Sequence, residues 1–153
     1  MKLGDVLKKE REKKGASVEE AAERLGISTD DYGTLESGES DAEKWAPLLA
    51  EIAIKLETPT SRLVSETGRS EDARQGQTGK LIRQYRERHS LSAEDLAEGI
   101  GVSQEEYAQI EAGDSPLEGY GPQMLAFAEL IEQPVFNLFY PCGLPFQELD
   151  DYP

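Results

Sequence analysis

The sequence of 153 residues has few of the side chains that build catalytic or metal centres, with one cysteine, one histidine and one tryptophan. A single cysteine, Cys142, cannot form an internal disulfide, which suits a reducing compartment. One histidine, His89, leaves no Cys/His cluster for a transition metal, and a catalytic pair would require two isolated residues to meet. The acidic residues lack the order of a calcium-binding loop. The sequence therefore predicts no enzyme, no metal and no cofactor.

Long apolar runs are also missing. No segment approaches the ~20 apolar residues that a membrane-spanning helix needs. The first residues, Met1–Asp5, enter an amphipathic helix instead of the apolar core of a signal peptide. We therefore expect a cytoplasmic protein without a membrane partner.

Basic residues are scarce and unevenly placed. The chain has 16 Lys and Arg against 31 Asp and Glu, a net charge of −15. Residues 90–153 contain no Lys or Arg, whereas residues 1–14 and 67–89 are each basic overall. An acidic surface of this kind repels nucleic acid and anionic membranes and favours basic partners.

The chain contains an internal duplication. Shifting the sequence by 75 positions aligns residues 4–64 with residues 79–139 without a gap, and 19 of the 61 aligned positions are identical. The identical pairs include an arginine, an aromatic residue and two prolines (Arg11/Arg86, Tyr32/Tyr107, Pro47/Pro122 and Pro59/Pro134). Chance does not place such residues in one register, so the two halves are copies of one unit.

Each copy is predicted to form five short helices, with boundaries marked by capping serines, terminal glycines and first-turn prolines. In the first copy, the first helix spans about 3–14, the second follows Ser17 with Glu20 completing a capping box, and the third runs from Ser28 to Gly38. The fourth helix runs from near Pro47 to Leu56, and the fifth opens with Thr58 and Pro59. In the second copy the corresponding starts are Ser92, Ser103, Pro122 and Pro134.

The central motif of each copy carries a family resemblance. Residues 17–28 read SVEEAAERLGIS and residues 92–103 read SAEDLAEGIGVS, and each run continues through a tyrosine to a Glu-x-Gly ending. This pattern resembles the Cro/phage-repressor (XRE) helix-turn-helix family. The resemblance implies an all-α fold of two tandem five-helix lambda-repressor-like helix-turn-helix domains, and a role in transcription regulation.

The corresponding domain boundaries are 1–64 and 79–140, joined by a polar linker at 65–78 and followed by an aromatic and acidic C-terminal tail at 141–153. For the aromatic residues Phe136, Phe139 and Tyr140 we favour a role in covering the second core or the groove between the repeats. For the segment from Phe146 to Tyr152, core cover and a docking strip for a partner remain open alternatives.

Two Arg/Glu pairs, each 25 residues apart, have a structural role by resemblance. In the family, an arginine of the first helix and a glutamate near the end of the third form an internal ion pair. The resemblance assigns this role to Arg11 with Glu36 and to Arg86 with Glu111. A phosphate contact by either arginine is the less favoured alternative.

The residues in the positions that read DNA in the family are unusual. The recognition-face candidates are Thr29, Asp30, Asp31, Thr34, Gln104, Glu105, Glu106 and Gln109, and none is basic. Acidic residues in the first turn of a helix interact favourably with the helix dipole, and this interaction is sufficient to explain the presence of any one of them. Together they occupy the place where backbone N–H groups would hold a phosphate.

The sequence therefore leaves several hypotheses. The favoured one is a non-enzymatic transcriptional regulator that acts mainly through protein contacts, with a basic partner. The alternative is a sequence-specific DNA-binding transcription factor whose two repeats read two half-sites about 34 Å apart. In that alternative Gln104 and Gln109 are the best candidates to read bases. A weaker hypothesis is a small-ligand site between the repeats, and each of these hypotheses is compatible with a homodimer.

Overall fold

The computed structural model describes residues 1–144, and these residues form helices and turns without a strand. The α-helices are α1 Leu3–Lys14, α2 Val18–Leu25, α3 Thr29–Ser37, α4 Ala42–Lys55, α5 Thr60–Val64, α6 Gln77–Arg88, α7 Ala93–Ile100, α8 Gln104–Glu111, α9 Leu117–Ile131 and α10 Phe136–Phe139. Short 3-10 turns span Ser70–Asp72 and Tyr140–Cys142. The predicted all-α class, with five helices in each repeat, is confirmed.

The ends of the helix-turn-helix elements follow local capping chemistry, as the sequence predicts. The hydroxyl of Ser17 accepts a hydrogen bond from the Glu20 backbone N–H at 3.0 Å, and the Glu20 carboxylate accepts one from the Ser17 backbone N–H at 3.1 Å. Ser28 accepts one from the Asp31 backbone N–H at 3.0 Å. Gly38 ends α3 with φ 79°, a left-handed conformation that glycine adopts without strain.

The fourth and fifth helices begin at positions other than those predicted. Helix α4 starts at Ala42, so Pro47 lies inside the helix and removes one of its N–H groups. The earlier start is favoured because Ala42 and Ala46 are buried and extend the apolar face of α4 backward by more than one turn. Thr58 does not cap α5, since its hydroxyl donates to the Leu56 carbonyl oxygen at 2.8 Å.

The second repeat departs from the predicted starts in the same way. Helix α9 begins at Leu117, five residues before Pro122, because Leu117 and Glu118 are buried in its first turn. Helix α10 begins at Phe136, two residues after Pro134.

The two repeats exchange their C-terminal helices. In each repeat the first three helices pack on one another, α3 against α1 and α2, and α8 against α6 and α7. Helix α9 then packs more extensively on α2 of the other repeat than on α6 of its own, α4 packs more extensively on α7 than on α1, and α4 and α9 pack on each other. The short helices follow the same rule, with α5 against α6 and α10 against α1. As a result, the buried apolar residues of both repeats form one continuous cluster.

Polar contacts also cross between the repeats. Lys14 pairs with Glu132 at 2.6 Å, and Arg24 pairs with Glu129 at 2.9 Å. Exposed ion pairs of this kind typically contribute about 0–1 kcal/mol each. The shared apolar core therefore dominates the association of the two repeats.

The polar segment between the repeats lies against the protein. The backbone N–H of Ser70 donates to the Glu129 carboxylate at 3.0 Å, and the Ser70 hydroxyl donates to the same group. The hydroxyl of Ser65 donates to the Arg69 carbonyl oxygen at 2.8 Å. The boundaries 1–64, 65–78 and 79–140 follow the sequence repeat, and they remain a prediction about independent domains.

Close packing of α6 against α8 requires a glycine at position 79. A methyl group added to Gly79 would lie 2.2 Å from the carbonyl oxygen of Ile110 and 2.9 Å from that of Glu111. We expect Gly79→Ala to lower the free energy of unfolding by about 3 kcal/mol, measured by chemical denaturation.

Gly119→Ala is the matched control. Gly119 is also helical, but it is exposed and an added methyl group would meet no atom within 4 Å. This variant should gain about 0.8–1 kcal/mol from helix propensity. Equal stability of the two variants would contradict the close packing of α6 on α8.

Candidate functional site

Helices α3 and α8 are the second helices of the two helix-turn-helix motifs, and each presents one face to solvent. Tyr32 and Leu35 anchor α3 in the core, and Tyr107 and Ile110 anchor α8. Of the recognition-face candidates, Glu106 is half-buried and the others are exposed, namely Thr29, Asp30, Asp31, Thr34, Gln104, Glu105 and Gln109. The structure thus leaves seven of the eight predicted residues exposed on α3 and α8.

Acidic residues occupy the first turn of all four motif helices. They are Glu19 and Glu20 on α2, Asp30 and Asp31 on α3, Glu94 and Asp95 on α7, and Glu105 and Glu106 on α8. At each of these helix starts a serine hydroxyl already accepts a hydrogen bond from a backbone N–H group. An incoming phosphate would therefore meet capped amides and carboxylates at these four helix starts.

A cation from the other repeat reaches the first turn of α8. The Nζ of Lys44, near the start of α4, lies 3.4 Å from a carboxylate oxygen of Glu106 on α8. The hydrogen bond from the Ser103 backbone, followed by the charge of Lys44, lowers the pKa of the Glu106 carboxyl group. This contact cannot be predicted from the sequence, because it depends on the packing of helices between the repeats.

Lys2 lies at the opposite end of α3. Its side chain passes beside Gly38, the residue that ends this helix. A cation there interacts favourably with the C-terminal end of the helix dipole. It is therefore placed away from the helix start, where a phosphate would dock.

The two arginines paired with glutamates are held inside their repeats. Arg11 binds Glu36 through two hydrogen bonds, at 2.7 and 3.2 Å, and donates to the Ala16 carbonyl oxygen at 2.9 Å. Arg86 binds Glu111 at 2.5 and 3.1 Å. These side chains are 11–13% exposed. Their donors are used within the fold, so they are not presented to a phosphate.

Electrostatics at the first pair favour the ionised forms. Burial alone would raise the pKa of the Glu36 carboxyl group, but the hydrogen bond and charge of Arg11 outweigh it and lower that pKa. The hydrogen bond to Glu36 in turn raises the pKa of Arg11. In the second repeat the Tyr107 hydroxyl also donates to Glu111. Burial and this hydrogen bond raise the pKa of Tyr107.

The C-terminal aromatic residues divide between core and surface. Phe136 and Phe139 are buried, as predicted, but Tyr140 is 55% exposed and does not cover the core. The chain turns at Tyr140–Cys142, and Leu144 returns to the core instead. The predictions for Phe146 to Tyr152 fall outside the described residues.

A cavity of about 720 Å³ lies between α2, the inter-repeat segment and the C-terminal half of α9. Leu25, Leu125 and Val135 form apolar parts of its lining, and the Arg24–Glu129 ion pair lies at its wall. The small-ligand hypothesis for a site between the repeats stays a prediction.

Within residues 1–144, no group of His, Cys, Asp or Glu side chains is arranged to hold a metal ion. In the same part of the chain, no helix is long and apolar enough to cross a membrane.

Comparisons with known families match both repeats. A family model described as a helix-turn-helix domain matches residues 2–51, and a second, described as helix-turn-helix, matches residues 82–118. No curated protein and no solved structure matches the chain. Helix-turn-helix domains of this type indicate a transcription-regulator-like DNA-binding protein, and such families are generally non-enzymatic. The chain is a tandem helix-turn-helix protein of the Cro/phage-repressor (XRE) type.

Proposed function

We propose that this protein regulates transcription mainly through contact with a basic protein partner, which binds the acidic faces of α3 and α8. The proposal is supported mainly by the first turn of each motif helix, which contains carboxylates and begins at a serine that caps the backbone amides. DNA-binding proteins gain most of their affinity by neutralising phosphates with lysine and arginine. The exposed residues of α3 and α8 offer none.

Charge complementarity favours a basic partner for the same surface. Asp30 and Asp31 on α3 and Glu105 on α8 are exposed, and in residues 1–144 no basic side chain forms a salt bridge with them. Unpaired surface charge accelerates association with an oppositely charged protein, and salt weakens the effect. Because the repeats share one core, both acidic faces are carried by a single folded unit.

Direct DNA reading is the second candidate, and one observation favours it. Gln104 and Gln109 are both exposed on α8. A glutamine side chain can pair with an adenine edge through two hydrogen bonds. The helix-turn-helix family supports the same function.

The deciding experiment measures two ligands by fluorescence anisotropy, a mixed-sequence DNA duplex and an octalysine peptide, each at low and at physiological salt. We expect the peptide to bind in a salt-dependent manner and the duplex not to bind at low salt. Tight DNA binding that weakens steeply with salt would refute the proposal and favour the second candidate.

A pair of variants tests whether the recognition faces themselves bind the peptide. One combines Asp30→Asn, Asp31→Asn, Glu105→Gln and Glu106→Gln, and it should bind octalysine at least about tenfold more weakly. The matched control combines Glu12→Gln, Glu57→Gln, Glu66→Gln and Glu71→Gln, four exposed acids outside α3 and α8. Both variants have the same net charge, so equal losses would show that no specific face is involved.

A further inference from the structure

Lys44 occupies a cation site that is built from both repeats. Its Nζ lies 4.9 Å from the centroid of the Trp45 ring and 3.4 Å from the Glu106 carboxylate of the other repeat. An aromatic face next to a carboxylate is a favourable environment for an ammonium group. The fold therefore creates one such site and fills it with its own lysine.

The duplication creates a second copy of this site. In the 75-residue register, Trp45 corresponds to Tyr120, Glu106 corresponds to Asp31, and Lys44 corresponds to Gly119. The second copy of the site therefore retains an aromatic ring, that of Tyr120, and a carboxylate, that of Asp31. The lysine that would fill it is replaced by a residue without a side chain.

Contacts at the start of α9 match those at the start of α4. Glu43 accepts the Gly4 backbone N–H at 2.9 Å, and Glu118 likewise accepts the Gly79 backbone N–H at 2.9 Å. The Tyr120 hydroxyl lies 3.3 Å from the Ser40 hydroxyl, in the turn after α3. The start of α9 thus contacts the turn that follows α3 in the other repeat, as Lys44 at the start of α4 contacts α8. The 75-residue register, which pairs Asp31 with Glu106, then places the second site between α9 and α3.

The second site is open. Gly119 is exposed, and a side chain at this position would meet no atom within 4 Å. Asp31 is exposed, and among residues 1–144 no cation pairs with its carboxylate. The ring of Tyr120 is half-buried, which fixes its place while leaving part of it accessible.

We propose that Tyr120 and Asp31 form a binding site for a lysine side chain of the basic partner. The proposal rests on the proposed function, since it takes the partner to be a basic protein. The occupant is assigned as a primary ammonium group because Lys44 supplies that group at the first site. Only one of the two sites is open, so a partner that uses it binds the pseudo-symmetric faces of α3 and α8 in one orientation.

Filling the open site tests the proposal. The Gly119→Lys variant supplies the missing lysine, and the full chain is titrated with octalysine by isothermal calorimetry. The matched control is Gln133→Lys, which adds the same charge at an exposed position, 14 residues or roughly 20 Å along and just beyond α9. We expect Gly119→Lys to bind the peptide about fivefold more weakly than Gln133→Lys.

A stability cycle tests the geometry without a ligand. Gly119→Lys is combined with Asp31→Asn, and unfolding is followed by chemical denaturation. The added lysine should favour folding about twofold more in the presence of Asp31 than in its absence.

Each result separates this inference from the function on which it rests. Peptide binding that is equal in Gly119→Lys and Gln133→Lys overturns the lysine site and leaves the proposed function standing. Absence of coupling to Asp31 also overturns the site. Failure of the wild-type chain to bind octalysine at low salt overturns both.

Discussion

Cleavage of the chain between its two repeats is expected to leave the halves bound to each other. A site for a specific protease replaces Arg74 and Gln75, which are exposed and precede α6. After cleavage, size-exclusion chromatography should show one particle of the original size, with helical circular dichroism retained. The physical reason is the exchange of helices, since α4 packs on α7 and α9 packs on α2 across the cut.

The larger effect appears when the cleaved halves are separated in denaturant and then diluted singly. Each half then lacks the helix that packs on its second helix, α9 on α2 and α4 on α7, so apolar residues of those helices such as Ala21, Ala22, Leu96 and Ala97 lose partners. We expect each half alone to lose most of its helical signal at low concentration, and mixing to restore it. The uncleaved protein with the same inserted site is the control.

Two folded monomeric halves would contradict this expectation. That result would mean that α4 and α5 can pack on their own repeat as stably as on the other one. The sequence-based domains 1–64 and 79–140 would then be independent units of folding.

The helix boundaries of the motif could be predicted because they depend on local chemistry. Ser17, Ser28 and Ser103 cap the helices that follow them, and Gly38 provides the left-handed residue after α3. Such signals act over three or four residues, so a single sequence contains them. The start of α4 was missed because burial of Ala42 and Ala46 by distant residues outweighs the local signal of Pro47.

The exchange of helices could not be predicted from the sequence. Duplication gives each C-terminal helix two chemically similar surfaces on which to pack, its own repeat and the other. Leu49 and Met124, for example, occupy equivalent positions and are both buried. Apolar burial is not directional, so a pattern of apolar residues does not distinguish the two partners.

The position of the recognition-face residues could be predicted from the sequence, but their contacts with the other repeat could not. The family resemblance assigns Asp30, Asp31 and Thr34 to the recognition face, and all three are exposed in the structure. The contact of Lys44 with Glu106 depends on the packing of helices between the repeats, so it could not be predicted from the sequence.

Replacing Arg86 by alanine is expected to lower the free energy of unfolding by about 3–5 kcal/mol, because it leaves the largely buried Glu111 without its cation. The side chains of this pair are both 13% exposed, and Arg86 also donates to the Leu91 carbonyl oxygen at 2.9 Å. Arg83→Ala is the matched control on the same helix. Arg83 is 62% exposed and pairs with Glu87 at 3.7 Å, so its loss should cost about 0.5 kcal/mol or less.

Conservative variants then distinguish a structural role from a phosphate contact. Lysine keeps the charge of Arg86 but cannot reproduce the planar donors that hold Glu111 and Leu91 together. For a structural role, Arg86→Lys should lose a large part of the stability that Arg86→Ala loses, as measured by urea denaturation. A phosphate contact predicts the opposite, since Arg86→Lys would then keep wild-type stability. It also predicts that Arg86→Ala lowers the salt dependence of DNA binding by about one charge. The internal hydrogen bonds of Arg86 favour the first result, because a guanidinium that holds Glu111 and Leu91 is not free to contact DNA.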